Sequence, residues 1–152
     1  MSLETIKKVY IASDHAGFEL KEKLKNYFTE YEWVDLGPEN GERVDYPDYA
    51  DRVAKKIGTS PANVGVLICG SGQGMAMRAN RFLEARAALV WNEESTRLAR
   101  EHNNANIICL GARLLSASLA IKLVQIFLTT PFEEGRHANR VSKLNARIDS
   151  KC

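Results

Sequence analysis

A glycine-rich turn beside a cysteine is the first group of residues in this chain whose types could do chemistry. Cys69 ends an apolar run, and Gly70, Gly72 and Gly74 follow within five residues, ahead of a helical pattern. Glycines allow backbone conformations in which successive N–H groups point at one anion. A thiolate beside such groups can act as a nucleophile or as a base. The pattern predicts an oxyanion site next to a reactive thiol, and a tight turn without a ligand is the simpler alternative.

This turn differs from the two familiar phosphate-binding loops. Met75 stands where a Gly-x-Gly-x-x-Gly motif has its last glycine, and no Lys-Ser or Lys-Thr pair follows as in a Walker A loop. A dinucleotide or a nucleoside triphosphate is therefore disfavoured as the ligand.

Two of the three histidines adjoin polar residues next to apolar runs. His15 follows Asp14 directly after the first run, and His102 precedes Asn103 shortly before the last run. An imidazole at such a place can move protons near neutral pH. An isolated surface histidine usually has no function, so the interest of these two depends on where the fold puts them.

A basic stripe near the carboxyl terminus could hold a phosphate. Arg136 and Arg140 are four residues apart, so a helix would present both guanidinium groups on one face. Two guanidinium groups on one face suit a phosphate. Lys143 and Arg147 continue the stripe, however, and the residues alone favour a simply solvated basic face. His137, within the same stripe, is the weakest candidate among the histidines.

The strands that must position these residues follow from the hydrophobic pattern. Apolar runs of about four to seven residues alternate with longer helical patterns, which predicts βαβ units and a parallel sheet covered on both faces. The predicted strands are Lys8 to Ser13, Glu32 to Leu36, Val64 to Cys69, Arg86 to Trp91 and Asn106 to Leu110.

The predicted helices alternate with these strands, and one longer loop interrupts them. Gly37 to Asp48 is that loop, and long loops in compact domains tend to be functional. The helix Ser116 to Leu128 is apolar except for one narrow stripe, so either its own domain or a partner subunit buries it. The other helices are predicted along a Leu20 to Phe28 face and at Tyr49 to Ile57, Gly74 to Phe82, Glu93 to Glu101 and Arg136 to Ile148.

These elements predict a doubly wound α/β fold, flavodoxin-like or Rossmann-like, with a C-terminal helix. Five parallel strands in an open sheet most often take the order 2-1-3-4-5, which places the carboxyl ends of strands 1 and 3 beside the topological switch point. Ligands bind at that point, so we expect Asp14, His15 and Cys69 to share one crevice. We expect His102 to lie at the same carboxyl edge of the sheet.

Composition narrows the class of protein. The chain has 152 residues, of which 45% are apolar, and a formal net charge of +2, which predicts one globular domain over residues 1–152. The nearly balanced 26% charged content argues against capture of nucleic acid. Three cysteines without a CxxC pair indicate reduced thiols in the cytosol and no metal site, with Cys109 buried and Cys152 exposed. Met1 to Lys8 lacks an apolar segment, and no run is long enough to span a membrane.

Five motifs occur in order along nearly the whole chain, and together they are highly specific. They are Ser13-Asp14-His15-Ala16-Gly17, Val44-Asp45-Tyr46-Pro47, Ile68-Cys69-Gly70-Ser71-Gly72-Gln73-Gly74, Glu101-His102-Asn103 and Glu134-Gly135-Arg136-His137. The set resembles the type B ribose-5-phosphate isomerases, a family that also includes galactose-6-phosphate isomerase subunits and an allose-6-phosphate isomerase.

The resemblance implies a reaction and the residues for it. Ribose 5-phosphate and ribulose 5-phosphate, sugars of the pentose phosphate pathway, would interconvert through a cis-enediolate without a metal or cofactor. Cys69 would be the base that moves the proton between C2 and C1, and Ser71 would bond the reacting oxygens. The amides of Gly70 to Gly74 would stabilise the enediolate. His102, helped by Asp14, would open the furanose ring.

The same resemblance implies how the substrate is held and how subunits assemble. Tyr46 and Asn103 would position the sugar. The phosphate would be bound by His15, Arg113, Arg136 and Arg140, with His137 as an additional contact. The enzyme would be a homodimer, or a dimer of dimers, with its two sites at the subunit interface.

Two other functions stay open at this stage. One is an isomerase of a six-carbon sugar phosphate such as allose or galactose 6-phosphate, since Met75 and Arg78 after the glycine turn leave the sugar length undecided. The other is a non-catalytic flavodoxin-like module that binds a flavin or receives a phosphate. A phosphate receiver would need an acceptor aspartate where this chain has Cys69.

Overall fold

A single parallel sheet organises the chain. The computed structural model describes residues 5–6 and 8–149, so Cys152 and most of the segment Met1 to Lys8 lie outside the described residues. Within that part of the chain the strands are β1 (Lys8–Ser13), β2 (Trp33–Asp35), β3 (Asn63–Cys69), β4 (Ala87–Leu89) and β5 (Ile107–Gly111).

The order of these strands is β2-β1-β3-β5-β4. The predicted order 2-1-3-4-5 is therefore wrong in its last two positions. All five residues of β5 are buried, whereas the three residues of β4 are only partly buried. A strand that is apolar on both faces is stabilised inside a helix-covered sheet, and a short, partly exposed strand suits the edge. The predicted class, a doubly wound five-stranded parallel α/β sheet, is confirmed.

Helices cover both faces of the sheet. None of those in the described part of the chain is both long and apolar enough to cross a membrane. The helices are α1 (Phe18–Tyr27), α2 (Tyr46–Ile57), α3 (Gln73–Ala79), α4 (Glu93–Glu101), α5 (Ala117–Thr129) and α6 (Arg136–Leu144).

Three helix ends differ from the prediction by three residues or more. α2 begins at Tyr46 rather than Tyr49, because Asp45 occupies the N-cap and a proline follows in the first turn, so the loop that starts at Gly37 ends at Asp45. α3 ends at Ala79 rather than Phe82, since the Asn80 side chain exchanges two 2.8 Å hydrogen bonds with the Ala87 backbone. The last helix, α6, ends at Leu144 rather than Ile148. The side chain of the next residue, Asn145, accepts a hydrogen bond from Arg86, which directly precedes β4.

The core has two halves because successive strand side chains point to opposite faces. On one face α1, α4 and α5 cover residues that include Val9, Ile11, Val66, Ile68, Ile108 and Leu110. On the other face α2 and α3 cover residues that include Tyr10, Ala12, Leu67, Cys69, Ile107 and Cys109.

The apolar helix α5 is buried by its own domain. Ser116 caps it by accepting a hydrogen bond from the Leu119 N–H at 3.2 Å, and Lys122 and Gln125 face solvent. The helix therefore provides no argument for a partner subunit. Its buried residues are Ala120, Leu123, Val124, Phe127 and Leu128.

Candidate active site

The turn after β3 is held by close backbone packing. Gly72 has a φ of 78°, and a Cβ there would lie 2.8 Å from Leu89 Cδ1 and 3.0 Å from the carbonyl carbon of Leu110. A Cβ on Gly111 would lie 2.7 Å from the carbonyl oxygen of Ser71. Only glycine fits at these two places, because L residues avoid positive φ and real Cβ atoms do not approach so closely. The turn and the end of β5 are thus in direct backbone contact.

Cys69 ends β3 directly before this turn and is 4% exposed. The backbone N–H of Gly72 donates a hydrogen bond to its Sγ at 3.1 Å, which places a backbone donor directly at the sulfur. Cys109, in the neighbouring strand, is fully buried as predicted, and burial raises the pKa of its thiol, with a smaller contribution from Cys69. Both cysteines are free, and only Cys69 adjoins backbone donors of the turn.

The turn after β1 lies against the end of β3, as predicted for a switch point. The Asp14 N–H donates to the Ile68 carbonyl at 3.0 Å. A Cβ on Gly17 would lie 2.6 Å from Ile68 Cγ2, so the two segments touch. Asp14 Oδ1 accepts hydrogen bonds from the backbone N–H groups of Ala16 and Gly17 at 2.9 and 3.2 Å. These bonds hold the carboxylate within its own turn, beside the strand that carries Cys69.

The loop between β2 and α2 reaches His15. The Val44 N–H donates to His15 Nδ1 at 3.4 Å, so the proton of the neutral ring is on Nε2. Lys21 anchors the start of this loop. Its fully buried ammonium group donates to both Asp35 carboxylate oxygens at 2.9 Å and to the Pro38 carbonyl at 2.6 Å. Because the Val44 N–H occupies Nδ1, the neutral His15 ring keeps Nε2 as its donor nitrogen.

Two large side chains flank the glycine turn. A Cβ on Gly74 would lie 2.7 Å from the hydroxyl oxygen of Tyr46, so that ring packs directly on the turn. The Arg113 N–H donates to the Gly70 carbonyl at 3.0 Å, and a Cβ on Gly70 would lie 3.1 Å from Arg113 Nη1. Ser71, between these flanking groups, is partly exposed. A sugar hydroxyl, a phosphate and an oxyanion would each find a donor here.

Met75 and Arg78, the two residues after the turn that bear on sugar length, contact other parts of the chain. Met75 belongs to α3 and is completely buried in the core. Arg78 donates from Nε and Nη2 to the two Asp51 carboxylate oxygens, at 2.6 and 3.0 Å. This hydrogen bond is the main reason that the pKa of Asp51 lies below its usual value of 3.8.

His102 lies at the opposite edge of the sheet from Cys69, and the prediction that it shares the carboxyl edge is wrong. A helix that follows a parallel strand returns the chain to the amino edge before the next strand starts. His102 comes directly after α4 and before β5, close to the first residues of that strand. Here the Asn106 N–H donates to the Arg86 carbonyl just before β4, and the Gly65 N–H of β3 donates to Asn106.

The length of the strands separates the two edges. A strand rises about 3.3 Å per residue, so the five residues of β5 span roughly 16 Å. Groups that react together must lie about 3 to 3.5 Å apart. A single chain therefore does not bring His102 to Cys69.

The amino edge carries a pair of stacked imidazoles. The rings of His102 and His137 lie 4.1 Å apart between centroids, with their planes at 14°. Oε2 of Glu133 is 3.4 Å from His137 Nε2 and 4.0 Å from His102 Nε2. The Glu133 N–H donates to the Glu101 carbonyl at 3.0 Å, which ties the segment before α6 to the end of α4. Nothing in the sequence pattern marks Glu133, because its proximity to His102 depends on the return path of α5.

These three side chains place possible metal-ligand atoms within 4.8 Å of one another. A zinc ion, however, lies near the plane of each imidazole that binds it, at about 2.0–2.1 Å from the nitrogen. Two rings whose centroids are 4.1 Å apart and whose planes are nearly parallel share no such point. The two stacked rings and the Glu133 carboxylate beside them are therefore not arranged to bind one zinc ion together.

The predicted site residues thus form two clusters. Arg136 and Arg140 are exposed at the start of α6, and Asn103 lines a groove beside the end of that helix. The carboxyl cluster contains Cys69, Asp14, His15, Tyr46, Gly70, Ser71, Gly72, Gly74 and Arg113. The amino cluster contains His102, Asn103, Arg136, His137 and Arg140.

Comparisons with known proteins agree with the motifs. A family model described as Ribose/Galactose Isomerase matches residues 9–144. The structure of a ribose 5-phosphate isomerase from Thermotoga maritima is 51% identical with a TM-score of 0.87, over 91% of this chain and 97% of that chain. Ribose-5-phosphate isomerase B from Escherichia coli K12 is 36% identical over 143 residues, covering 93% of this chain and 96% of its own.

A further solved relative was crystallised with a sugar phosphate. Ribose-5-phosphate isomerase B from Mycoplasma genitalium, with bound ribulose-5-phosphate, is 42% identical with a TM-score of 0.88, over 91% of this chain and 93% of that chain. The chain belongs to the ribose/galactose isomerase family. The resemblance stated from the five motifs is confirmed.

Proposed function

We propose that this chain is an aldose-ketose isomerase that interconverts ribose 5-phosphate and ribulose 5-phosphate through a cis-enediolate. The observation that carries the proposal is Cys69 Sγ, which accepts a hydrogen bond from the Gly72 N–H at the start of the glycine turn. Removing a proton next to a carbonyl needs a base and donors for the developing oxyanion, and the turn offers both. Relatives named for this reaction, one of them with bound ribulose-5-phosphate, support the substrate.

Proton transfer is the task of the carboxyl cluster. The Cys69 thiolate takes the proton from C2 of the open aldose, and the electrons move to give the enediolate. The proton on O2 passes to O1, and the same thiol then returns the first proton to C1 as the C2 carbonyl forms, which gives the ketose. The Ser71 hydroxyl bonds the reacting oxygens, and backbone N–H groups of the turn stabilise their negative charge.

Ring opening is the task of His102, together with Asp14. The bond between C1 and the ring oxygen breaks, the His102 imidazolium gives a proton to that oxygen, and the Asp14 carboxylate takes the proton of the C1 hydroxyl. The C1 carbonyl forms in the same step, so charges and atoms balance. Ribose 5-phosphate needs this step because it exists mainly as a closed furanose.

A second subunit must complete the site. The roughly 16 Å between the sheet edges keeps the clusters of one chain apart, and each cluster holds only part of the predicted machinery. We propose a homodimer in which the amino cluster of one protomer faces the carboxyl cluster of its partner. A two-fold axis makes this contact twice and so forms two equal sites. Phosphate binding is then shared by His15 and Arg113 of one protomer and by Arg136 and Arg140 of the other.

The substrate is tested by isomerisation assays on the metal-stripped protein with ribose 5-phosphate, allose 6-phosphate and galactose 6-phosphate. The expected result is the highest kcat/KM with ribose 5-phosphate. A higher kcat/KM with a six-carbon sugar would support the second candidate function, an isomerase of six-carbon sugar phosphates. The family description, Ribose/Galactose Isomerase, includes a six-carbon sugar. Absence of turnover with all three sugars would support a binding module, and a yellow colour on purification would identify a flavin protein.

Sharing of the site is tested with mixed dimers. Cys69→Ala and His102→Ala chains carrying different tags are co-expressed, and the mixed dimers are purified through both tags. Each parent is expected to be inactive with ribose 5-phosphate, while each mixed dimer contains one intact site out of two and has about half the wild-type activity. The matched control pairs Cys69→Ala with Ser71→Ala, both in the carboxyl cluster, and should show no recovery. Inactive Cys69→Ala/His102→Ala dimers would contradict the shared site.

A further inference from the structure

His137 is placed unlike a phosphate ligand. It is 5% exposed, whereas Arg136 and Arg140 on the same helix are exposed. Its Nε2 atom is buried and has no hydrogen-bond partner among the described residues. The face of its ring covers the face of His102 at 4.1 Å. A side chain buried against another imidazole can hold that imidazole in place more readily than it can reach a phosphate in solution.

Glu133 links both rings to the rest of the domain. Its Oε2 atom lies within ion-pair distance of each imidazole, although neither contact is aligned as a hydrogen bond. Its backbone N–H is bonded to Glu101, the residue before His102. The chain then turns sharply, with positive φ at Glu134 and Gly135, before α6 begins. This turn brings His137 back against the carboxylate and the first ring.

The two rings face the same carboxylate but differ in exposure. Only the more exposed ring can meet a substrate. That ring is His102, whose side chain is 36% exposed against 6% for His137.

We infer that Glu133 and His137 are positioning residues that hold the His102 imidazolium for ring opening, an inference that rests on the function proposed above. His137 fixes the plane of the His102 ring by stacking, and the Glu133 carboxylate stabilises the charge that His102 gives up as a proton. Neither residue touches the sugar. His137 is therefore assigned to ring orientation rather than to phosphate binding.

The test separates ring opening from carbon-bound proton transfer. Turnover of ribose 5-phosphate needs both steps, whereas exchange of the C1 proton of ribulose 5-phosphate in deuterated water needs only the second. We expect His137→Ala and Glu133→Gln to lower kcat for ribose 5-phosphate by about tenfold or more, part of the 10² to 10⁴ typical of an acid–base group. Exchange should stay within about twofold of wild type, because the carboxyl cluster is unchanged.

Conservative variants distinguish positioning from a general structural effect. His137→Phe keeps a flat ring against His102 and should recover most of the turnover lost in His137→Ala. Glu134→Gln removes a neighbouring exposed carboxylate and is the matched control, with turnover expected to equal wild type. If His137→Ala does not fold, as judged by circular dichroism, Glu133→Gln and His137→Phe decide the question in its place.

Failure of this inference can be told from failure of the proposed function. If His102→Ala itself turns over ribose 5-phosphate normally, the ring-opening step assigned to His102 is wrong. If His102→Ala is impaired while Glu133→Gln and His137→Ala are both normal, the positioning role is overturned. A raised KM for both sugar phosphates with unchanged kcat in His137→Ala would also overturn it, and would return His137 to the phosphate site.

Discussion

Around Cys69 the backbone holds the site together, whereas around His102 side chains hold one another. Gly72 and Gly111 leave no space for a Cβ, so the turn after β3 and the end of β5 meet without intervening side chains. At the amino edge, two stacked rings and one half-exposed carboxylate make the corresponding contacts. Backbone packing therefore holds one edge of the sheet together, and side-chain contacts hold the other.

The difference matches two kinds of chemistry. Backbone N–H groups are fixed donors and suit a charge that develops at a known place, as in an enediolate. Imidazole and carboxylate groups can gain and lose protons, and they suit the opening of a sugar ring. Variants at either edge should consequently fail in different ways, and the following four predictions are ordered from the largest expected effect on catalysis to the smallest.

Cys69→Ala should give the largest loss. Without the thiolate neither C1 nor C2 loses its proton, so isomerisation and deuterium exchange of ribulose 5-phosphate should both fall by about 10² to 10⁴. Binding of ribulose 5-phosphate, measured by calorimetry, should persist because the phosphate contacts are intact. Cys109→Ala is the matched cysteine control and should retain turnover. Near wild-type turnover of Cys69→Ala would remove this residue from the mechanism.

His102→Ala should affect only one of the two activities. Ribose 5-phosphate must open its furanose ring, whereas ribulose 5-phosphate, with its 5-hydroxyl esterified, cannot close that ring. Turnover of ribose 5-phosphate should therefore fall by about 10² or more, while NMR should still detect exchange of the C1 proton of ribulose 5-phosphate. If exchange is lost as completely as in Cys69→Ala, His102 takes part in proton transfer or in assembly of the site.

Arg136→Met and Arg140→Met should chiefly weaken substrate binding. A hydrogen bond to a charged group contributes about 1.5 to 3 kcal/mol, which corresponds to a loss of affinity of roughly tenfold or more for each arginine. Inhibition constants for inorganic phosphate and KM for ribose 5-phosphate measure the change. Lys143→Met, on the same helix, is the control with an expected change below about twofold. Unchanged affinity in both arginine variants would show that the stripe is only solvated.

Asp35→Asn should change stability more than catalysis. Burial alone would raise the pKa of Asp35, but hydrogen bonds from Lys25, Lys21 and the Gly37 N–H outweigh burial and hold that pKa below 3.8. A carboxyl group with a lowered pKa in the folded state stabilises the fold above its unfolded pKa, and this stabilisation is lost as pH falls through the folded pKa.

The resulting expectation for Asp35→Asn is a loss of about 1.5 to 3 kcal/mol in the free energy of unfolding at pH 7. The difference from wild type should shrink as the pH falls below 3.8 and through the lower folded-state pKa, where the wild-type carboxylate becomes protonated. Urea unfolding at a series of pH values measures it. Turnover should change by less than about threefold, since the loop keeps its contact with His15. A difference that grows on acidification would contradict this account of Asp35.

The sequence pattern predicts the carboxyl edge well because its signals are local. Strand β3, Cys69 and the glycine turn are contiguous, and the end of β1 joins them by the usual topology of such sheets. The order of the last two strands depends instead on relative burial, since the continuous apolar run of β5 takes the interior position. A partial signal for this existed in the charged residue Arg86 at the start of the predicted fourth strand.

The amino edge is harder to predict because its residues come from distant segments. The position of His102 follows from the direction in which α4 runs, and reasoning from the helix direction would have placed it correctly. The approach of Glu133 and His137 requires the full return path of α5 and the turn at Glu134. Spacing rules describe neighbours along one helix or strand, and they do not reach contacts of this kind.

The absence of space around Gly72 also bears on how much the surroundings must rearrange during the reaction. In water, dipoles have to turn toward a new negative charge, and that turning contributes to the activation barrier. In the proposed mechanism the N–H groups of the glycine turn meet this charge, and the close approach of Leu89 and Leu110 to Gly72 leaves the turn little space to move. If the turn acts as proposed, the reorganisation energy is met once, when the chain folds, rather than in every catalytic cycle.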